Sequence, residues 1–219
     1  MKWTYGEEGE RYPVQVGQVW RVGKHTFVCS DLMESDTYER FASGGPKPTL
    51  LYCDPPWNQG NVNSFRTKAG LKHVEYSYLD LYRRIAEVGA RWGIPMYIEA
   101  GNREQKKVAE VLPNRHRASF DIFYDRKNPC TLLYAGPMPT PVKRSVITGM
   151  DDAHTPAEVM RAHGPTGLVT DVCGGIGYTA TNAEEVGWSS LLNELHPNRV
   201  SVALDRVHKM TGEKPERVQ

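Results

Sequence analysis

The sequence predicts an α/β fold in which helices cover both faces of a mostly parallel sheet that ends in an antiparallel hairpin. Three features predict it. Short apolar runs of strand length alternate with segments of helical period over most of the chain. A glycine-rich turn, residues 174–177, stands between one such run and the next helical segment. Two further apolar runs, 118–124 and 131–134, are joined by Asp125-Arg-Lys-Asn-Pro129, which is too short for a crossover helix, so they pair antiparallel.

The elements follow in order. Residues 18–29 alternate apolar and polar on both sides of Gly23-Lys24, predicting a β-hairpin whose second arm ends at Cys29. Residues 35–41 predict a short helix, ended by Gly44-Gly-Pro-Lys-Pro48, and 49–53 a buried strand. The polar stretch 58–73, rich in Asn, Gly and Ser, is expected to be a mobile functional loop. Residues 78–92 place Leu81, Ile85 and Val88 on one helical face, and Gly93 with Pro95 stops that helix before a strand at 96–99. Residues 103–112 are again helical in pattern. Beyond the hairpin, the Pro-rich piece 136–141 reads as a linker. A helix at 156–162, a strand at 168–172, a helix at 178–186, a strand at 189–194 and a helix at 197–210 complete the series. Residues 1–13 are expected to form an N-terminal arm and 211–219 a frayed C-terminal tail, leaving one domain over 14–210.

Composition agrees with one soluble domain. The 219 residues are 39% apolar and 24% charged, and no window approaches eighteen consecutive apolar residues, so no membrane span is expected. The start of the chain lacks the apolar core of a secretory signal, which points to the cytoplasm. Cys29, Cys53, Cys130 and Cys173 lie far apart without a Cys-x-x-Cys pair; they read as buried thiols, with neither a disulfide framework nor a metal site expected. A net charge of +1 does not announce a nucleic-acid binder, so such a partner would have to meet a local basic patch.

Two motifs carry chemistry. In Gly174-Gly-Ile-Gly-Tyr-Thr-Ala180 the glycines let a ligand approach the backbone N–H groups at a helix start. Glu194 ends the next strand, nineteen positions after Gly175, where its carboxylate can accept from both hydroxyls of a ribose. A nicotinamide dinucleotide would use the same fingerprint, but only forty-odd residues follow Gly177, an unusual order for a dehydrogenase. The second motif, Asp54-Pro-Pro-Trp57, lies at the carboxyl end of a predicted strand. Its prolines remove two backbone donors and hold the chain extended, so carbonyls and the Asp carboxylate can face an amino group. Accepting both hydrogens of an aromatic amine frees its delocalised lone pair, and Trp57 offers a surface on which a base can stack.

Together these residues resemble the β-class, circularly permuted, S-adenosylmethionine-dependent amino-methyltransferases of DNA. In that family an Asp/Asn/Ser-Pro-Pro-aromatic segment precedes the glycine-rich cofactor segment, as Asp54 precedes Gly175 here. Residues 18–31 are similar to the family's Trp-Arg-Leu-Gly-x-His hairpin and following Gly-Asp, and 154–159 to its His-x-x-x-Lys-Pro stretch. Asp171-Val-Cys-Gly-Gly-Ile-Gly177 resembles Asp-Pro-Phe-x-Gly-x-Gly, and Glu194-Leu-His-Pro-Asn-Arg199 the Glu-x-x-x-x-Arg that follows. The resemblance covers 14–210. It implies a single Rossmann-like methyltransferase domain with circularly permuted motif order, S-adenosyl-L-methionine as cofactor and a DNA base, flipped from a duplex or single-stranded, as substrate. Asp54, Pro55, Pro56 and Trp57 would form the catalytic corner. Asp31 would meet the cofactor's adenine, and His154, Thr155, Asp171, Cys173, Gly174, Gly175, Gly177, Thr179 and Glu194 would surround the rest. Adenine N6 is the preferred target, since the Asp form of the tetrad goes with adenine more than cytosine. Cytosine N4, an RNA base, and an inactive nucleic-acid-binding module of the same fold are the alternatives.

The chain also departs from the family. Cys173 stands where Phe is usual, Tyr178 where Thr is common, and no Lys fills the Lys-Pro position. The segment 135–153, where a target-recognition region is usual, holds only about twenty residues. That implies weak sequence specificity, recognition by 58–73, or a partner, either a second copy in a homodimer or a separate specificity chain. Residues 101–150 carry nine basic side chains against four acidic ones. Arg126, Lys127, Lys143 and Arg144 are candidate phosphate contacts, while Asn58, Phe65, Arg66 and Lys68 are candidates to close over a flipped base.

Overall fold

The computed structural model describes residues 12–113 and 116–219. Its elements in chain order are β1 (Val19–Val22), β2 (His25–Cys29), α1 (Thr37–Ser43), β3 (Leu50–Cys53), α2 (Gln59–Lys68), α3 (Tyr78–Trp92), β4 (Met96–Gly101), α4 (Gln105–Val111), β5 (His116–Tyr124), β6 (Asn128–Gly136), α5 (Arg144–Ile147), α6 (Thr155–His163), β7 (Leu168–Asp171), α7 (Tyr178–Glu185), β8 (Ser189–Glu194), α8 (Pro197–Thr211) and β9 (Glu216–Arg217). Among the described residues these strands form one nine-stranded sheet in the order β5-β6-β4-β3-β7-β8-β2-β1-β9. β4, β3, β7, β8 and β2 are parallel, and antiparallel hairpins flank them on both sides.

Burial follows the strand period. A central parallel strand is covered on both faces, and all four residues of β3 are buried, as the unbroken apolar run requires. Alternate residues enter opposite layers: Leu51 and Ile98 pack with Tyr82 and Ile85 of α3, whereas Leu50 and Tyr97 pack with Leu132, Met160 and Trp188. Helix α3 has the predicted bounds. Ser77 and Asp80 form a reciprocal capping box at its start, and Gly93 closes it in the left-handed region at φ 65°. The β1–β2 hairpin turns at Gly23-Lys24 with Val22 opposite His25.

Two expectations change. The stretch 58–73 is not a loop, because residues 59–68 are helix α2. The side chain of Asn58 accepts from the Asn61 N–H at 2.9 Å, supplying the cap, and Val62 and Arg66, one turn apart, are buried. The polar surface of this helix conceals its period. The tail 211–219 is not frayed either. β1 would leave an open edge of unpaired backbone groups, and β9 covers it, with Trp20 opposite Arg217 and the Val218 N–H donating to the Val19 carbonyl at 2.9 Å. The arm expected over 1–13 lies outside the described residues, apart from Tyr12 and Pro13, as does Arg115. Among the described residues no helix is long and apolar enough to cross a membrane.

Candidate active site

β3 and β7 are parallel neighbours from which the chain departs in opposite directions, β3 leading on to β4 and β7 to β8. Loops at such a switch point diverge and leave a crevice at the carboxyl ends of the strands. Asp54 follows β3 and the glycine-rich turn follows β7, so the two sequence motifs flank one crevice. The thiols of Cys53 and Cys173 meet across the join, giving the unusual Cys173 a structural partner.

On the β3 side, the indole Nε1 of Trp57 donates to Asp54 Oδ1 at 2.8 Å. The indole lies against Gly101 at the end of β4, where a Cβ would come within 3.0 Å of the ring, and meets the Tyr124 ring edge-on at 5.4 Å. Asp54 is half-buried, and desolvation pushes its carboxyl up to about 6, against the opposing pull of the Trp57 N–H and the Arg199 charge. Two acids that sequence reasoning missed stand beside it. Asp54, Glu99 and Asp152 each place a carboxylate oxygen within 4.8 Å of the other two, an arrangement that could hold protons or a cation. Glu99 is 1% exposed; its Oε1 accepts from the Tyr52 hydroxyl at 2.6 Å, while its Oε2 has no partner. Desolvation, then the Asp54 charge, drives Glu99 well above the usual carboxylate range. Asp152, whose Oδ1 accepts from the Asp125 N–H at 3.3 Å, is raised to about 8 by desolvation and the side chain of Asp151. Glu99 was legible only as a strand end, and the pairing of Cys53 with Ile98 is what brings it beside Asp54.

On the β7 side, Gly175 and Gly177 adopt φ of 54° and 83°, and a Cβ at Gly177 would lie 2.7 Å from that of Ala203. Arg206 braces the turn by donating to the Ile176 carbonyl at 3.0 Å. Gly174 packs directly on Leu192. Asp171 accepts from the Thr179 hydroxyl at 2.6 Å and the Cys173 N–H at 3.0 Å, and burial pushes it up to about 7; Asp171 and Thr179 therefore hold the turn from beneath. The Glu194 oxygens accept from the Gly175 and His196 N–H groups, each at 2.8 Å. Asp31 follows β2, next to Glu194 through the Ser30 N–H and the Glu194 carbonyl, and accepts from the Met33 N–H at 2.9 Å. A glycine cradle with acids at the ends of the next two strands, Glu194 ending β8 and Asp31 after β2, fits an adenosine-bearing ligand. His154 is exposed at the start of α6, whereas Thr155 is fully buried and commits its hydroxyl to the Asp151 carbonyl at 3.0 Å.

Helix α2 reaches across to the end of β2 and the start of α8. Phe65 lies under the Arg199 guanidinium, 4.7 Å from its ring centre, and the exposed Lys68 sits 5.6 Å from that ring. Arg66 is 4% exposed and is bonded to Asp31, to Glu34 at 3.1 Å and to the Lys72 carbonyl at 2.9 Å. It is thus a buried tie between α2 and the end of β2. Asn58 is likewise occupied as the helix cap. Of the basic residues, Arg126 sits in the tight 125–126 turn and pairs with Asp151 at 3.2 Å, and Lys127 beside it is exposed. Lys143 and Arg144 are exposed at the start of α5, with Arg144 over Phe120 of β5 at 5.6 Å. The β5–β6 turn thereby places Arg126 and Lys127 next to Tyr124, whose ring meets Trp57.

No protein-family model matches the chain, nor does any curated protein. Solved structures do match. M1.HpyAVI is similar over 84% of this chain and 99% of its own, at 13% identity and a TM-score of 0.60. PvuII DNA methyltransferase (cytosine-N4-specific) is similar over 87% and 91%, at 14% identity and a TM-score of 0.59. The chain shares their fold, a mixed α/β sheet with helices on both faces. TTHA0409 from Thermus thermophilus, complexed with S-adenosyl-L-methionine, shares it over 78% of this chain and 90% of its own, at 16% identity and a TM-score of 0.51.

Proposed function

We propose that this protein transfers a methyl group from S-adenosylmethionine to the exocyclic amine of a DNA base, adenine N6 by preference. The observation that carries the reading is the convergence of the Asp54–Trp57 corner and the 174–177 glycine cradle on one switch-point crevice. Residues 174–177, Glu194 and Asp31 would hold the cofactor, whose sulfonium supplies an electrophilic methyl. The chain's own task is then to present an amine lone pair. Asp54 and the Pro55 carbonyl accept the amine hydrogens, favouring a more pyramidal nitrogen, and no strong base is needed beforehand. Trp57 stacks the base, a contact worth about 1–3 kcal/mol in comparable cases. A base inside a duplex cannot reach this corner, so the substrate is extruded or single-stranded. Lys127, Lys143 and Arg144, all exposed, suit phosphate contacts.

Circular permutation is part of this reading, as is a second chain supplying sequence selection, because 135–153 contributes little beyond the four-residue α5. Cytosine N4 is the second reading, favoured by the fold shared with a cytosine-N4-specific enzyme. Purified protein should transfer labelled methyl to cytosine-free DNA, and incorporation into adenine-free DNA would overturn the choice of adenine. Calorimetric titration with S-adenosylmethionine tests the enzyme reading itself; no binding at millimolar cofactor would leave a nucleic-acid-binding module.

A further inference from the structure

Three carboxyl groups meet where the proposed chemistry calls for one. By burial, Glu99 is the floor of this corner and Asp54 and Asp152 are its rim. The Tyr52 hydroxyl occupies one Glu99 oxygen, and the other is enclosed with nothing to donate to it. A carboxylate oxygen in that position lacks a hydrogen bond it needs, whereas the O–H of a neutral acid there is a donor waiting for an acceptor. The target supplies one. In adenine and in cytosine the exocyclic amine adjoins an unprotonated ring nitrogen, so the edge offers a donor and an acceptor side by side.

We propose that Glu99 is a base-recognition residue whose Oε2 donates to the ring nitrogen beside the amine, while Asp54 accepts from the amine itself. The inference rests on the proposed methyl transfer and deepens it by assigning a reader to the ring nitrogen. Carboxyl oxygens within 4.8 Å of one another can straddle such an edge. The titratable groups facing Glu99 are Tyr52 and Asp54 from β3 and its end, Asp152, Asp171 of β7, Cys130 of β6 and Tyr82 of α3. Burial and the negative charges of Asp54, Asp152 and Asp171 favour the acid form of Glu99, against the Tyr52 hydrogen bond, which favours the carboxylate. Asp152, also raised, keeps the cluster from carrying three charges.

The test uses single-stranded oligonucleotides with one target adenine or its 1-deaza analogue, and one target cytosine or its 3-deaza analogue. The wild-type protein should lose about 10-fold or more in kcat/KM on the deaza form of the base it methylates. Glu99→Leu should be slower on the parent base and should no longer distinguish it from the deaza form. Glu99→Gln keeps an N–H donor, so it should retain the discrimination and lose the fall in rate at high pH that deprotonation of Glu99 causes in the wild type. Should Glu99→Leu fail to fold, the pH profile of Glu99→Gln decides. An equal deaza penalty in the wild type and Glu99→Leu, or the same high-pH fall in the Gln variant, would overturn the assignment. Saturable Mn²⁺ binding to the wild type that is lost in Glu99→Gln would also overturn it, giving the corner to a cation. Absence of transfer to both parent oligonucleotides removes the methyltransferase reading and this inference together; transfer without discrimination removes this inference alone.

Discussion

The indole N–H of Trp57 reaches Asp54 Oδ1 at 2.8 Å, so the proposed stacking surface and the proposed amine acceptor are tied by one hydrogen bond. Asp54→Ala removes the acceptor from both. Methyl incorporation into DNA should fall at least about 100-fold, the scale on which an oriented polar group at a reacting centre acts. S-adenosylmethionine affinity, read by calorimetry, should stay within about twofold, because the glycine cradle lies on the other strand end. Unchanged turnover would refute the role.

The same bond sets a pH dependence. Asp54 accepts more strongly, and through both oxygens, when ionised, so the rate should rise with pH through about 6, where burial places its carboxyl. The Trp57 donor pulls that value down, and Trp57→Phe, which keeps an aromatic ring but loses the N–H, should move the rising limb to higher pH. A limb that stays in place would separate Trp57 from the titration of Asp54.

Stability should run the other way. Asp54, Glu99, Asp152 and Asp171 all hold protons more tightly folded than an unfolded carboxylate near pH 4 does. Their protons are lost from the unfolded chain first, so folding stability declines as pH rises from about 4 through the folded values. Glu99→Gln escapes its share of this cost. Its Tm relative to the wild type should therefore be higher at pH 8 than at pH 5, by about 2–4 °C for each kcal/mol relieved. An equal difference at both pH values would contradict the shift.

Gly177 combines φ 83° with an approach that leaves no room for a side chain against Ala203. Gly177→Ala should lower Tm by several degrees and weaken S-adenosylmethionine binding. Gly70→Ala, with φ 75° but nothing within 4 Å, carries only the backbone strain of about 1 kcal/mol and should leave cofactor binding intact. Equal effects of the two substitutions on cofactor affinity would remove the glycine turn from the site.

The exposed basic residues make a prediction about salt. If Lys143 and Arg144 each neutralise a phosphate, Lys143→Gln with Arg144→Gln should reduce the slope of log affinity for DNA against log salt by about 1.4 for a single strand. Fluorescence polarisation over a salt series measures it, and an unchanged slope would clear those two residues of phosphate contact.

Much of the frame was legible because it obeys simple periods. The apolar run before Asp54, the helix 78–92 with its terminal Gly93 and the strand ending in Glu194 needed only local pattern, and their order located the crevice. What was not legible depends on contacts between distant segments. Arg66 belongs to a helix whose exposed polar face hides the two buried positions, so the pattern suggests a mobile loop where the chain ties α2 to Asp31. β9 exists because β1 offers an edge, which the polar composition of the tail does not reveal. Glu99 and Asp152 become neighbours of Asp54 only through strand pairing and the hold of the β5–β6 turn on residues 151–152.

The most direct test of the proposed chemistry is to incubate the protein with methyl-labelled S-adenosylmethionine and mixed-sequence DNA, then digest the DNA to nucleosides and identify the labelled species. The expected product carries label on an exocyclic amine, as N6-methyladenine. Label on a ring carbon, or none in DNA while the protein demonstrably binds the cofactor, would contradict it.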